Sequence, residues 1–418
     1  IGVYAKSKYE LVIKIKNYDY YFTNLLTSPT TSPIPIEAVN YYDNNFSDVM
    51  IGTGPFRLTK YVRKSKLEFS KNTNFRSKYF PSTSAPQHKK IINNYKGKKV
   101  PFLDKINVTI TNESQTAWLN FLKGKADYLE VPKDNYSENF TNNSLSPSMK
   151  MKGMTSGASS SKSNTYYFGF NLSHPILKNR LVRHAIAYAF DHQKFNQLFF
   201  NNSAELASSL LPPLIPGNTP ALKGKHIQYD IKKAKQLLVQ AGFPNGEGIP
   251  PLKIMVKNKT VSRQVGQFLA LQVEKIGINL NVEAVTWATL LQNAQKGNYH
   301  IFYLAWFVGI PTANEFFELL YGPNHPKSYN RVGFKNKEFD SLFNKVKKIR
   351  NIKKQNDLIK RMNHIINNKL PLLPLVHAKT YYIQHGWLKN YIPIDQYGGL
   401  EQYYDIDLEL KSKLINKL

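Results

Sequence analysis

The chain has 418 residues, too many for one simple core, and its 42% hydrophobic and 13% aromatic content suits a packed protein of two or three lobes. Its 57 Lys and Arg against 28 Asp and Glu give a formal charge of +29, but Lys and Asn recur along the whole length (KNKTV, KNKEFD, NIKKQND), which reads as drift in composition rather than a patch built for an anionic partner. The lack of cysteine excludes disulfides, thiolate metal sites and cysteine nucleophiles, and the longest apolar run, Ile301 to Pro311, falls far short of the ~18 residues that cross a bilayer.

The chain opens on Ile1 with neither Met nor a signal peptide, which reads as a targeting segment removed or an N-terminal part missing. Tyr9 to Lys16 alternates like a strand, Tyr20 to Leu26 is a short aromatic helix, and Thr27 to Pro35 is a Thr/Ser/Pro loop. The run Ile51-Gly52-Thr53-Gly54-Pro55-Phe56 predicts a tight turn with glycines at positive φ, feeding strands over Phe56 to Val62 and Lys66 to Ser70. Arg76 to Lys99 reads as a basic loop. Asp104 to Thr111, Gln115 to Lys123 and Ala126 to Val131 then form a strand–helix–strand unit, and Asn139 to Asn164 is polar and irregular.

A strand over Thr165 to Asn171 leads into a helix, Asn179 to Phe190, with Leu181, Ala185, Tyr188 and Ala189 on one face. A loop with Pro212, Pro213 and Pro216 follows, and Asp230 caps a helix closed by Gly242. Strands Leu252 to Val256, Ile278 to Val285 and His300 to Trp306 alternate with helices Val261 to Ile276 and Trp287 to Gln295, the mark of a second α/β lobe. Two helices (Lys337 to Ile349, Ile352 to Asn368) and strands near Leu372 to Val376 and Thr380 to Gln384 complete it. The tail from Gly386 to Leu410 is aromatic with few helix signals.

Catalytic patterns do not emerge. The ten histidines include no HExxH and no metal-ligand spacing; His88, His226 and His325 fall in loops, while His377 and His385 flank a predicted hairpin. The serines Ser159 to Ser161 lie in a low-complexity loop, no GxSxG occurs, and Glu401 and Asp405 read as surface groups. No RRM, OB-barrel or helix-turn-helix pattern points to nucleic acid. The reading is of a binding protein with no catalytic residues, no metal ligands and no cofactor.

Several segments, in order, resemble one family: the extracellular solute-binding proteins of peptide, dipeptide and nickel ABC importers. They are Gly52-Thr53-Gly54-Pro55-Phe56 with Asn72; Val100-Pro101 to Gly124-Lys125-Ala126-Asp127; and Tyr166-Tyr167-Phe168-Gly169-Phe170-Asn171 with Arg180, Arg183, His184, Ala185, Ile186, Ala187, Ala189, Phe190 and Asp191. Ala234 to Pro244 follows, then Ala305-Trp306 with Pro311, Phe316 and Tyr321-Gly322-Pro323-Asn324. The resemblance starts well inside the family's length, so the beginning of lobe one, with its signal peptide or lipid anchor, is expected to be missing.

The resemblance implies an α/β, two-lobed periplasmic binding protein of the type II, peptide-binding class with a hinge between the lobes. Residues 1–45 would be a remnant of the N-terminal lobe or its extra subdomain, 46–164 lobe one with 386–418 returning to it, and 165–385 lobe two, with crossovers near Asn164 and His385. Closure would bury an extended peptide along a strand edge, here Ala305-Trp306-Phe307, and Tyr167 and Asn171 would share a strand face where the lobes meet. The implied role is a monomeric periplasmic carrier for an ABC importer, handing peptides or peptide-like solutes to an inner-membrane permease, with no nucleic acid partner. One departure stands out: Gly309 occupies the place where such proteins set an Asp against a peptide's α-ammonium, and Thr312 replaces a second Asp, which predicts weak binding of free-N-terminus peptides. A nickel or metal-chelate carrier and a binding-impaired scaffold that meets anionic partners through the +29 charge are the alternatives.

Overall fold

The computed structural model describes residues 2–418 except 44, 46–48, 84, 85, 112, 142, 143, 160–163, 214, 219–227, 311, 327 and 393–398. Pro311, His226, Ser160 and Ser161 therefore lie outside the described residues. The chain forms two compact units: Ile1–Ser28 with Ser161–Ala378, and Pro29–Ser160 with Lys379–Leu418.

The first unit is built on a six-stranded sheet. Its strands, in chain order, are β1 (Asn164–Phe170), β2 (Glu205–Leu206), β3 (Leu252–Lys257), β4 (Leu280–Val285), β5 (Ile301–Phe307) and β6 (Leu372–His377). The spatial order is β2-β6-β1-β5-β3-β4. β1 runs antiparallel to β5 and β6, whereas β3 is parallel to both β4 and β5. The strands read as near-continuous apolar runs because both faces are covered, as parallel-type sheets require. One face buries Phe168, Phe170, Ile254, Val256, Ile301 and Leu373. Against it lie α1 (Arg180–Ala189), buried on nearly every side rather than on one face, and α2 (Thr260–Glu274). The other face buries Tyr167, Met255, Phe302, Leu304 and Leu372 under α3 (Trp287–Lys296), α4 (Ala313–Phe317), α5 (Lys337–Val346) and α6 (Ile352–Lys369).

Caps set the ends of these helices. Asn179, Thr286, Asn336 and Asn351 each accept a backbone N–H from the first turn of α1, α3, α5 and α6, and Asp230 does the same for the helix Ile231–Gln240. Gly169 on β1 has no side chain because the Phe302 ring fills that place; a Cβ there would sit 2.3 Å from it.

The second unit has its own core of Trp118, Phe121, Val131, Tyr136, Phe140, Leu145, Met154, Tyr381 and Ile383. An antiparallel sheet of Met154–Ala158, Tyr381–His385 and Tyr128–Glu130 supports it, and a second one joins Phe56–Val62, Lys66–Lys71 and Lys105–Thr109. The His385 ring stacks between Phe121 (4.3 Å) and Trp387 (4.0 Å). Asp127 accepts from Trp387 Nε1 at 2.7 Å and from Lys411 Nζ at 2.9 Å, so the acidic end of the Gly124–Asp127 motif ties down the C-terminal helix Leu408–Ile415.

Several expectations are corrected. Neither Gly52 nor Gly54 has positive φ; the motif is instead clasped by Asn72, whose Nδ2 donates to Gly54 O at 2.9 Å. Residues Tyr9 to Lys16 supply only one arm of a hairpin, Val3–Ser7 with Glu10–Ile13, and Ile1–Ser28 belong with the first unit. The stretch after Asn139 holds the strand Met154–Ala158 and the helix Pro147–Met151, the basic loop holds the helix Lys89–Tyr95, and the tail ends in a helix. The strand Tyr381–His385 lies in the sheet of the second unit, so the return crossover comes at Ala378 rather than at His385. His377 and His385 thus belong to different units.

A strand edge left open at Trp306

The C-terminal end of β5 is the informative place in the first unit. On one side β5 is paired along its whole length with β1, from Phe170↔Ile301 to Asn164↔Phe307. On the other, the ladder with β3 ends after Ile254↔Ile301 and Met255↔Phe302. From Leu304 to Phe307 that edge has no strand beside it among the described residues. Unpaired main-chain N–H and C=O groups on an edge are a template for another extended chain.

Side chains alternate across this end. Trp306 points to the face of Phe302 and Leu304, packs against that core, donates from Nε1 to Glu315 O at 2.9 Å and meets the Tyr329 ring edge-on at 5.1 Å. The indole is thereby fixed in place while staying partly accessible. Ala305 and Phe307 point to the opposite face, where Phe307 is 59% exposed and lies 6.0 Å from the Tyr166 ring. Gly309, two residues past the strand, is partly exposed. Four of the six residues singled out in the sequence, Ala305, Trp306, Phe307 and Gly309, therefore lie together at this edge.

The other two do not join them. Tyr167 is opposite Leu304 on β1, but it is only 2% exposed, and burial pushes its phenol up to about 12. It is a core residue under the edge. Asn171 lies past the far end of β1: its backbone N–H donates to His300 O, and its Nδ2 donates to Gly297 O and Tyr299 O. Six residue steps along β5 take the chain from His300 to Trp306, about 20 Å of strand. Period-2 alternation gave Tyr167 and Asn171 one face but says nothing of position along the strand.

Residues that the sequence did not mark as site residues complete the neighbourhood. Asn164, opposite Phe307, closes a two-bond clasp with Ala378, Nδ2 to O and N to Oδ1, both 2.8 Å. Thr165 Oγ1 donates to Leu210 O at 2.9 Å and receives the Nδ1–H of His377 at 3.0 Å. Burial holds His377 down at about 4, so it stays neutral. Glu315 on α4 and Glu318 at its end have carboxyls raised by burial, with Lys347 opposing. Lys257 ends β3, and its Nζ lies 4.2 Å from the centre of the Trp287 ring. A Lys at a strand end carries no motif, so only the fold brings it here. Among the described residues no group of three or more His, Asp or Glu side chains is placed to hold a metal ion, and no helix is long and apolar enough to cross a membrane.

An α/β, two-unit chain with an open strand edge beside a fixed indole has the build of a binding protein, and the comparisons place it. The chain belongs to the bacterial extracellular solute-binding proteins, family 5, whose "Middle" profile matches residues 1–328. It is 24% identical over 365 residues to heme-binding protein A of Haemophilus influenzae, covering 86% of this chain and 60% of that protein. With the oligopeptide-binding protein OppA of Bacillus subtilis it shares 22% identity over 400 residues, 94% of this chain and 68% of the relative. It therefore spans under two thirds of the heme-binding relative's length. Its fold is that of the periplasmic binding protein DppA of Helicobacter pylori, solved in complex with the peptide STSA, at a TM-score of 0.82 and 21% identity over 97% of this chain and 74% of that one. The two-lobed periplasmic binding-protein fold inferred from the motifs is thus the fold of this chain.

Proposed function

We propose that the protein is the periplasmic substrate-binding component of an ABC importer, capturing peptides or peptide-like solutes by lobe closure and delivering them to the membrane permease. The observation that carries this reading is the open edge of β5 from Leu304 to Phe307, with Trp306 held beside it. Main-chain pairing along such an edge recognises an extended backbone whatever its side chains. Ala305, Trp306, Phe307 and Gly309 are the contacts we assign; Tyr167 lies in the core beneath them, and Asn171, bonded to Gly297 and Tyr299 at the other end of β5, is left out of the set. Relatives described as oligopeptide- and dipeptide-binding proteins support this class of cargo for the chain. The protein acts as a monomeric carrier and catalyses no reaction.

Gly309 shapes the ligand preference. A buried ammonium without a carboxylate is costly, so peptides with a free N-terminus bind weakly. Gly309→Asp is expected to tighten binding of unmodified tripeptides at least ten-fold in calorimetry; sub-micromolar binding to the unaltered protein would overturn the point. The wider test titrates the tryptophan fluorescence of the full chain with peptide pools and identifies co-purifying solutes by mass spectrometry. A response with a saturable midpoint is expected. No response and no co-purifying solute, together with salt-sensitive binding to polyanions, would instead mark a binding-impaired scaffold.

A further inference from the structure

Even drift in composition does not account for one place in the first unit. Between Lys345 and Lys354, where α5 ends and α6 begins, six of ten residues are Lys or Arg and none is acidic, against 57 basic residues in 418 for the whole chain. Five of the six are exposed, and Lys347 is half-buried. Glu318 reaches Lys347 alone, at 3.9 Å, and Asp357 turns to Lys360 at 3.7 Å. Among the described residues Lys345, Lys348, Arg350, Lys353 and Lys354 thus have no carboxylate within ion-pair distance. Like charges crowded in this way repel one another, and a counter-charge from outside the chain would relieve them. The turn also holds them in a fixed arrangement. Gln355 is buried, and its Nε2 donates back to Val346 O and Ile349 O, while Asn351 Oδ1 takes the backbone N–H of Lys354 at 3.0 Å. The N-terminal segment is strapped on beside it: the Tyr20 N–H donates to Lys347 O at 3.0 Å, and the Arg350 guanidinium lies 4.7 Å from the centre of the Tyr18 ring.

Apolar groups stand out among these cations. Ile352, the first residue of α6, is 59% exposed, and in the strapped segment Tyr18, Tyr20, Leu25 and Leu26 are exposed as well. We propose that the α5–α6 turn, with the segment around Tyr18 and Tyr20, is a docking surface for an anionic lipid bilayer. Lysines set around exposed Ile, Leu and Tyr side chains suit the boundary between water and lipid: ammonium groups meet anionic headgroups, and apolar groups and phenol rings enter the headgroup layer. Five of the six cations are Lys. Flexible point charges match a mobile layer of lipid phosphates, whereas the rigid fork of Arg is the usual reader of a single phosphate or base. This surface goes beyond the carrier reading and does not depend on it.

The test is co-flotation of the full chain with vesicles of phosphatidylcholine alone and of phosphatidylcholine with about one third phosphatidylglycerol. Binding to the anionic vesicles is expected to be at least ten-fold tighter and to fall away at about 0.5 M salt. Removing four charges together, Lys348→Gln, Arg350→Gln, Lys353→Gln and Lys354→Gln, should weaken it at least ten-fold. The same number taken from exposed lysines of the second unit, Lys89→Gln, Lys90→Gln, Lys96→Gln and Lys99→Gln, should weaken it less than two-fold. Ile352→Ser should weaken binding while leaving its salt dependence unchanged. Far-ultraviolet circular dichroism shows that each variant is folded. No preference for anionic vesicles, or an equal loss in both four-site variants, overturns the proposal. Duplex DNA held through the same four residues more tightly than vesicles would overturn it too, marking a nucleic-acid surface instead. Tryptophan fluorescence with peptide pools, measured in parallel, reports on solute capture, so either reading can fail alone.

Discussion

Arg183 shows how a residue recognisable in a motif acquires a reason only in the fold. It is 4% exposed, and among the described residues no carboxylate forms an ion pair with it. Its guanidinium donates from Nε to Leu370 O (2.8 Å), from Nη1 to Leu177 O (2.6 Å) and Lys178 O (3.0 Å), and from Nη2 to Lys369 O. These carbonyls end two helices, Pro175–Lys178 and α6, where partial negative charge accumulates. A lysine has neither the reach nor the planar fork to serve four acceptors. Arg183→Lys is expected to lower stability by about 2–4 kcal/mol in urea melts, because buried carbonyls lose their partners; an unchanged midpoint would refute it. The sequence shows Arg183 only as part of a pattern. Trp306 was legible for a different reason: a large indole at the end of an apolar run marks either core or site, and the fold packs it against a core while leaving it partly exposed.

At the scale of elements, the long periodic pieces were readable and the short ones were not. Alternating strands and helices from Leu252 to Trp306 appear within a residue or two of their expected limits, because apolar periodicity and caps agree there. The helices Lys133–Asn139 and Pro147–Met151 escaped, being two turns or fewer and lying in polar stretches that composition alone assigns to loops. His192–Phe200 was also missed, although Asp191 caps it and Asn201 ends it in the left-handed region. The close approach of β1 and β5 gives a direct test of packing. Gly169→Ala would drive a methyl into the Phe302 ring, and a loss of about 1–3 kcal/mol is expected from the thermal midpoint. Phe302→Leu should recover part of the loss in the double variant. The edge at Ala305, Trp306 and Phe307 was expected only through the family resemblance, since nothing in a strand's composition says where its neighbour turns away.

The whole molecule should lose stability in mild acid. His192 and His377 are buried and held near 4, against about 6.5 when unfolded, and His385 is lowered in its aromatic stack. Their contribution is complete above the unfolded value and is lost as pH falls from about 6.5 towards 4, because the unfolded chain takes up protons that the fold refuses. Each of the first two is worth about 3 kcal/mol across that window. Glu130, Glu315 and Glu318, raised by burial, act in the opposite sense and offset a part. The urea midpoint is expected to drop between pH 7 and pH 4.5, and His377→Asn should flatten the slope; a slope unchanged in that variant would remove His377 from the account. The two-unit division was legible in outline from two blocks of strand and helix. Its limits were not, because the first 28 residues and the crossover at Ala378 are decided by contacts between segments far apart in sequence.

The way β5 parts from β3 carries one more consequence. A chain laid along a pleated edge turns its residues up and down in strict succession, whatever its composition. Cargo docked there would have an odd set of side chains brushing the indole and an even set brushing Phe307. Tolerance to substitution should accordingly follow parity: a scan replacing one position at a time in a bound pentapeptide would yield a zigzag of affinities instead of a smooth gradient from end to end.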